Sequence, residues 1–90
     1  MTNQTTAEPH ETRLRRLHMR SIRRGIKEMD IILTRYSEAR LATLDDATLT
    51  TYDALLSEND QDLYRWVTGQ EAAPDHFAAI IAEIGREVGA

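Results

Sequence analysis

Apolar positions recur at three- and four-residue spacing along most of this chain, and short polar stretches interrupt them. Residues 2–9 are small and polar and end on Pro9, so residues 1–10 are expected to form a disordered tail and residues 11–90 a single helical domain. A helical pattern starts at about Glu11. Leu14, Leu17, Ser21 and Ile22 fall on one side, with Arg13, Arg16, Arg20 and Arg23 spread over the rest. Gly25 is predicted to end this helix, because glycine takes the left-handed backbone just past a helix at little steric cost. A second helix follows at once. Ile26, Met29, Leu33 and Tyr36 form its stripe, Ile32 widens it, and Ala39 and Ala42 extend it. The segment ATLDDATL breaks the pattern, and Thr43 followed by Asp46 predicts a capping-type helix start. Leu49, Tyr52, Leu55 and Leu56 give the third helix an apolar face. Asn59 or Asp60 is the predicted N-cap of a short fourth helix carrying Leu63, Trp66 and Val67 and ending near Gly69. The last helix is predicted from Pro74 or Asp75, with Phe77, Ile80, Ile81, Ile84 and Val88 as its stripe. No stretch alternates with period two. The expected fold class is all-α, a compact five-helix bundle.

Composition narrows the picture without supplying a chemistry. Ninety residues suffice for one small core, and 41% hydrophobic with 29% charged residues suits a globular chain. The absence of cysteine excludes disulfides, zinc–thiolate sites and cysteine nucleophiles. No apolar run approaches the ~20 residues of a membrane span, and MTNQTTAEPHE lacks the apolar stretch of a secretory signal. A cytoplasmic monomer with no membrane contact is therefore expected. The net charge of −4 conceals an asymmetry: residues 1–27 carry seven basic and two acidic side chains, and residues 28–90 carry four basic and thirteen acidic ones. A cationic end on an acidic body suggests a polarised binding surface.

Catalytic and metal-binding patterns are sparse. His10, His18 and His76 are scattered, and none has a second ligand at metal-binding spacing. Asp45, Asp46 and the acids of NDQD are accounted for by helix starts. Gly25 is the only glycine before Gly69, so no phosphate-cradling loop is present, and no cofactor is expected to be bound by this chain alone. Residues 13–27 hold seven cations, which makes a nucleic-acid-binding module the alternative function. The acidic body and the lack of aromatic residues among the arginines weigh against it, so no nucleic-acid partner is expected. Trp66 is expected in the core, with Asp62 and Tyr64 at a rim.

The stretch RRGIKEMD, residues 23–30, is the informative one. A plain turn accounts for much of it: Gly25 closes one helix and caps the next, Glu28 sits at the third position to complete a capping box, and Asp30 lies in a first turn that favours negative charge. Arg23 supplies the charge at the end of the first helix. The turn does not require Arg24, whose guanidinium is expected to project beside exposed backbone, suited to a partner's carboxylate or phosphate.

RRGIKEMDIIL resembles the RGxxE region of the SdhE (YgfY-like) family of succinate dehydrogenase assembly factors, with Arg24, Gly25 and Glu28 as the core motif and Arg23, Asp30 and Leu33 extending it. LLSENDQDLYRWV, residues 55–67, is similar to a second landmark of that family; Met29 and Gln61 depart from its usual pattern without touching the charged motif. The likeness covers about residues 13–68. It implies a five-helix bundle that is not an enzyme. Such a protein binds the flavoprotein subunit of succinate dehydrogenase, and in some bacteria that of fumarate reductase, and promotes covalent attachment of FAD to it. The resemblance places Arg24, Gly25 and Glu28 at the partner contact, and Arg20, Arg23 and Asp30 are expected to flank it.

Overall fold

Proline and small polar residues set most of the helix starts. The structure, a computed structural model, describes residues 8–89. Helix α1, His10–Ser21, begins directly behind Pro9. Helix α2, Lys27–Arg40, runs into a 3-10 turn at Leu41–Thr43. Helix α3, Asp46–Leu55, is capped by Asp45, whose carboxylate accepts the Thr48 N–H at 2.8 Å. Helix α4, Asp60–Val67, is capped by Asn59, whose side-chain oxygen accepts the Gln61 N–H at 2.8 Å. Helix α5, Asp75–Val88, starts behind Pro74 and ends on Gly89 in the left-handed region. Among the described residues the fold is all-α, with five α-helices and no strand.

Three local expectations are corrected. The cap before α3 is Asp45, not Thr43, because Thr43 spends its hydroxyl on the Arg40 carbonyl at 2.7 Å. Ala39 and Ala42 are exposed, and Leu41 is buried in their stead, four residues on from buried Ser37 on the same face of the chain. Residues 1–7 of the expected tail lie outside the described residues. Glu8 already pairs with Arg16, and His10 already belongs to α1.

The core follows the apolar stripes. Helix α2 lies against α1, α4 and α5, and α5 also packs on α3 and α4. Leu17 of α1, Met29, Leu33 and Tyr36 of α2, and Leu49, Tyr52 and Leu55 of α3 are fully buried. Burial of each large apolar side chain contributes about 1.5–3 kcal/mol against chain entropy. Trp66 is buried beside Phe77, with ring centroids 6.1 Å apart, as expected of a core tryptophan. Asp62, bonded to Arg65 at 2.8 Å, and Tyr64 are half-buried at the edge.

Two polar contacts cross the core. The Tyr52 hydroxyl lies 2.6 Å from Ser21 Oγ, and the Ser21 hydroxyl donates to the Leu17 carbonyl at 2.7 Å. Burial pushes the Tyr52 phenol up to about 12, partly offset by its bond to Ser21. On the α1–α2 side, His18 Nδ1 lies 3.0 Å from Ser37 Oγ.

Most of the basic side of α1 is neutralised within the molecule. Arg13 pairs with Asp46 at 3.2 Å, Arg16 with Glu8 at 2.9 Å and Asp53 at 3.0 Å, and Arg20 with the same Asp53 carboxylate. The Arg16 bond holds the carboxyls of both Glu8 and Asp53 below their ordinary values. A depressed folded pKa contributes stability above the unfolded value of about 4 and loses it as pH falls through the folded value. Urea unfolding free energy is therefore expected to stay level from neutral pH down to about 5 and to fall below about pH 4. Asp53→Asn should lower the neutral-pH value and flatten the acid limb.

Candidate functional site

The segment between α1 and α2 departs most from the plain turn its local sequence predicts. Helix α1 stops at Ser21, four residues before Gly25, with Ile22 as its C-cap. Ile26, in extended conformation, is the residue that precedes α2. Gly25 is thus neither the end of one helix nor the cap of the next. The glycines with positive φ among the described residues are Gly69 and Gly89, so Gly25 needs no left-handed backbone. Glu28 stands at the second position of α2 instead of the third, and the helix start has no side-chain cap. Arg23 and Arg24 lie beyond the last turn of α1, where His18 and Arg20 are the basic residues.

Arg24 does not project. Its side chain is 9% exposed and its partner Asp60 15%. Nε donates to Asp60 Oδ1 at 2.7 Å, Nη1 to the carbonyls of Leu56 at 3.0 Å and Arg20 at 3.2 Å, and Nη2 to the Glu58 carbonyl at 3.4 Å. The Arg20 and Leu56 carbonyls belong to the ends of α1 and α3, where helical carbonyls lack intrahelical partners and carry negative partial charge. Asp60 is the first residue of α4, at the end where negative charge is favoured. One guanidinium thus gathers two helix C-termini and one N-terminus. The expected free guanidinium is corrected on this point, because local spacing cannot reveal a partner thirty-six residues away.

Asp60 also accounts for the glycine. Its second oxygen, Oδ2, accepts the Gly25 N–H at 2.6 Å. A Cβ at position 25 would stand 3.1 Å from that oxygen, closer than ordinary van der Waals contact. The glycine suits the approach of the carboxylate, which a side chain here would push back by a few tenths of an ångström, and is not called for by backbone φ.

The surface left around this joint is mixed in charge. Arg23, Gly25, Lys27 and Glu28 are exposed, and Arg20 is turned toward Asp53 and Ser57. Asp30 is half-buried. Its Oδ1 is shielded from solvent and has no hydrogen-bond partner among the described residues. Next to it Ile31 is 53% exposed. Asp30 and Ile31 open a shallow groove along α2 that continues over Thr34, Arg35, Glu38 and Ala39. The spacing of Glu28, Ile31, Arg35 and Glu38 puts them on one outward stripe of α2. Ile31 is a site candidate absent from the sequence-derived set; its signal is an isoleucine outside the Met29–Leu33–Tyr36 stripe. Of the six sequence-derived residues, Arg23, Gly25 and Glu28 lie in the open. Arg20 and Arg24 lie behind them, and Asp30 is at the edge of the groove.

The cations of residues 13–27 divide in the same way. Arg13, Arg16, Arg20 and Arg24 are engaged with acids of the body, and Arg15, Arg23 and Lys27 are exposed. Such a surface does not favour the nucleic-acid alternative, since the paired arginines would have to give up near carboxylates before meeting phosphates.

Comparison with known proteins gives the family of the chain. Residues 15–88 match the family Sdh5, described as flavinator of succinate dehydrogenase. A relative in Meyerozyma guilliermondii, named succinate dehydrogenase assembly factor 2, mitochondrial, is 44% identical over 63 residues, covering 70% of this chain and 47% of the relative. Proteins of the same name are 35% identical over 72 residues in Mycosarcoma maydis, covering 80% of this chain and 30% of the relative, and 33% identical over 79 residues in Drosophila grimshawi, covering 86% and 54%. The chain spans about half or less of the length of these relatives. Their names also overturn the expected cytoplasmic location, since all three are mitochondrial. That expectation stood on the absence of apolar runs and on reading the Arg-rich segment as part of the folded domain and not as a mitochondrial presequence, since Glu8 and Glu11 precede it. With residues 15–88 matched, the chain belongs to the family of flavinators of succinate dehydrogenase.

Proposed function

We propose that this chain binds the flavoprotein subunit of succinate dehydrogenase and promotes covalent attachment of FAD to that subunit. The observation that carries the proposal is the exposed edge formed by Arg23, Gly25, Lys27 and Glu28, held rigidly from behind by Arg24 and Asp60, in a chain whose family is described by flavinylation. The relatives named succinate dehydrogenase assembly factor support the choice of partner.

The edge suits a protein partner. Arg23 and Glu28 offer opposite charges for polar contacts, Gly25 lets a backbone approach closely, and Ile31 adds apolar area. Flavin is held by the partner and not by this chain. The assembly factor then acts by fixing the flavoprotein in a conformation that aligns flavin and acceptor side chain; orientation of this kind is worth up to about 7–11 kcal/mol of barrier. The chain contributes no catalytic group to the reaction.

Two sets of variants separate contact from scaffold. Arg23→Ala and Glu28→Ala are exposed changes and should lower covalent flavin fluorescence of the flavoprotein subunit at least about 10-fold, a loss of roughly 1.4 kcal/mol or more in binding, with the thermal midpoint unchanged. Wild-type flavinylation in both would reject the proposed contact. Arg24→Ala leaves Asp60 buried without its cation and should cost on the order of 3 kcal/mol. Its thermal midpoint should drop by roughly 10 °C or more, as read by circular dichroism. An unchanged midpoint would mean the Arg24–Asp60 joint is not structural.

A further inference from the structure

We infer that Asp60, on α4, is a positioning residue for flavinylation, acting through the peptide between Arg24 and Gly25. The inference rests on the contact proposed above. Asp60 touches the linker from outside it: Oδ1 takes the Arg24 Nε–H and Oδ2 the Gly25 N–H, both within 2.7 Å. The linker has little else to fix it. Among the described residues the amides of Arg23, Arg24 and Ile26 make no backbone–backbone hydrogen bond, and α2 begins only at Lys27. The carboxylate is therefore the fixed point between the last bond of α1, from the Ile22 N–H to the His18 carbonyl, and the first turn of α2.

Both oxygens are needed, and they have different tasks. The bond to Arg24 anchors the carboxylate against the ends of α1 and α3. The bond to Gly25 orients one peptide plane, and with it the direction in which Arg23 leaves the surface and the face of Gly25 that a partner backbone meets. Asn59 already caps α4, so Asp60 is free of that duty. A carboxylate is the side chain that suits the place, because two donors converge on it and an amide would set its own NH2 against one of them.

The test uses the full chain, the flavoprotein subunit prepared without covalent flavin, and FAD. Flavinylation rate is measured against assembly-factor concentration, corrected for the folded fraction. Asp60→Asn should raise the half-saturating concentration at least 10-fold and leave the rate at saturation within 2-fold. Hydrogen exchange of the Gly25 amide in the free chain should speed up at least 10-fold. A residue that served stability alone would change the folded fraction and leave the corrected half-saturation where it was. Unchanged half-saturation in folded Asp60→Asn overturns the inference, and so does a Gly25 amide that exchanges as freely in the wild type as in the variant. Should Asp60→Asn not fold, Asp60→Ser, which suits a helix start and forces no donor against Gly25, must show the same split. If neither folds, Asp60 is a folding residue and the inference is wrong. Glu28→Ala, measured in parallel, separates the two levels. If it raises the half-saturation and Asp60→Asn does not, only the role of Asp60 falls. If it too has no effect, the contact itself falls, and the positioning role with it.

Discussion

The Arg24–Asp60 ion pair joins three helix ends, and the geometry of the candidate site depends on it. Withdrawing two charges from water is costly, and such a pair persists only where its remaining donors and acceptors are satisfied. Here they are. The guanidinium takes carbonyls from Arg20, Leu56 and Glu58, and the carboxylate takes the Gly25 amide. These carbonyls and the start of α4 offer the partial charges that each member of the pair seeks. The linker at residues 22–26 borrows its rigidity from this joint, having little hydrogen bonding of its own.

The same economy explains the uneven charge of the chain. The positive N-terminal part is largely consumed by the acids of the body: Asp46, Asp53 and Asp60 recur every seven residues and receive Arg13, Arg16, Arg20 and Arg24 in order. What remains exposed is a short edge carrying both signs, with Ile31 and the shielded Asp30 oxygen beside it. A mixed edge with an apolar neighbour favours a protein partner over a polyanion. It also divides the motif by task. Arg24 acts as scaffold, Arg23 and Glu28 face outward, and Gly25 does both, since its bare Cα admits the Asp60 carboxylate on one side and leaves open backbone on the other.

The helices were legible in the sequence because burial is periodic. The stripes Leu49–Tyr52–Leu55, Leu63–Trp66–Val67 and Phe77–Ile80–Ile81–Ile84 are buried as their spacing predicts. The stripe was misread at the end of α2, where Leu41 continues the buried face of Leu33 and Ser37 while Ala39 and Ala42 are exposed, because alanine is too small to signal its face. The motif residues were legible as a group, but their division of labour was not. Gly25 looked like a helix end because glycine usually is one. Its actual constraint is a carboxylate thirty-five positions away, which no local pattern contains. Asp60 itself was legible only as a helix start, since an acid in a first turn already has a sufficient local reason. Ile31 was legible only as an isoleucine left outside the stripe of Met29, Ile32, Leu33 and Tyr36, and its exposure beside Asp30 was not drawn from that.

The central claim is that the linker edge, and not another face of the bundle, meets the flavoprotein. Hydrogen exchange of the full chain, with and without the flavoprotein subunit of succinate dehydrogenase, tests this most directly. Slowed exchange on binding should concentrate in residues 22–31, with the outer face of α5, around Ala78 and Ala82, unaffected. Slowed exchange on α5 with none in residues 22–31 would contradict the account.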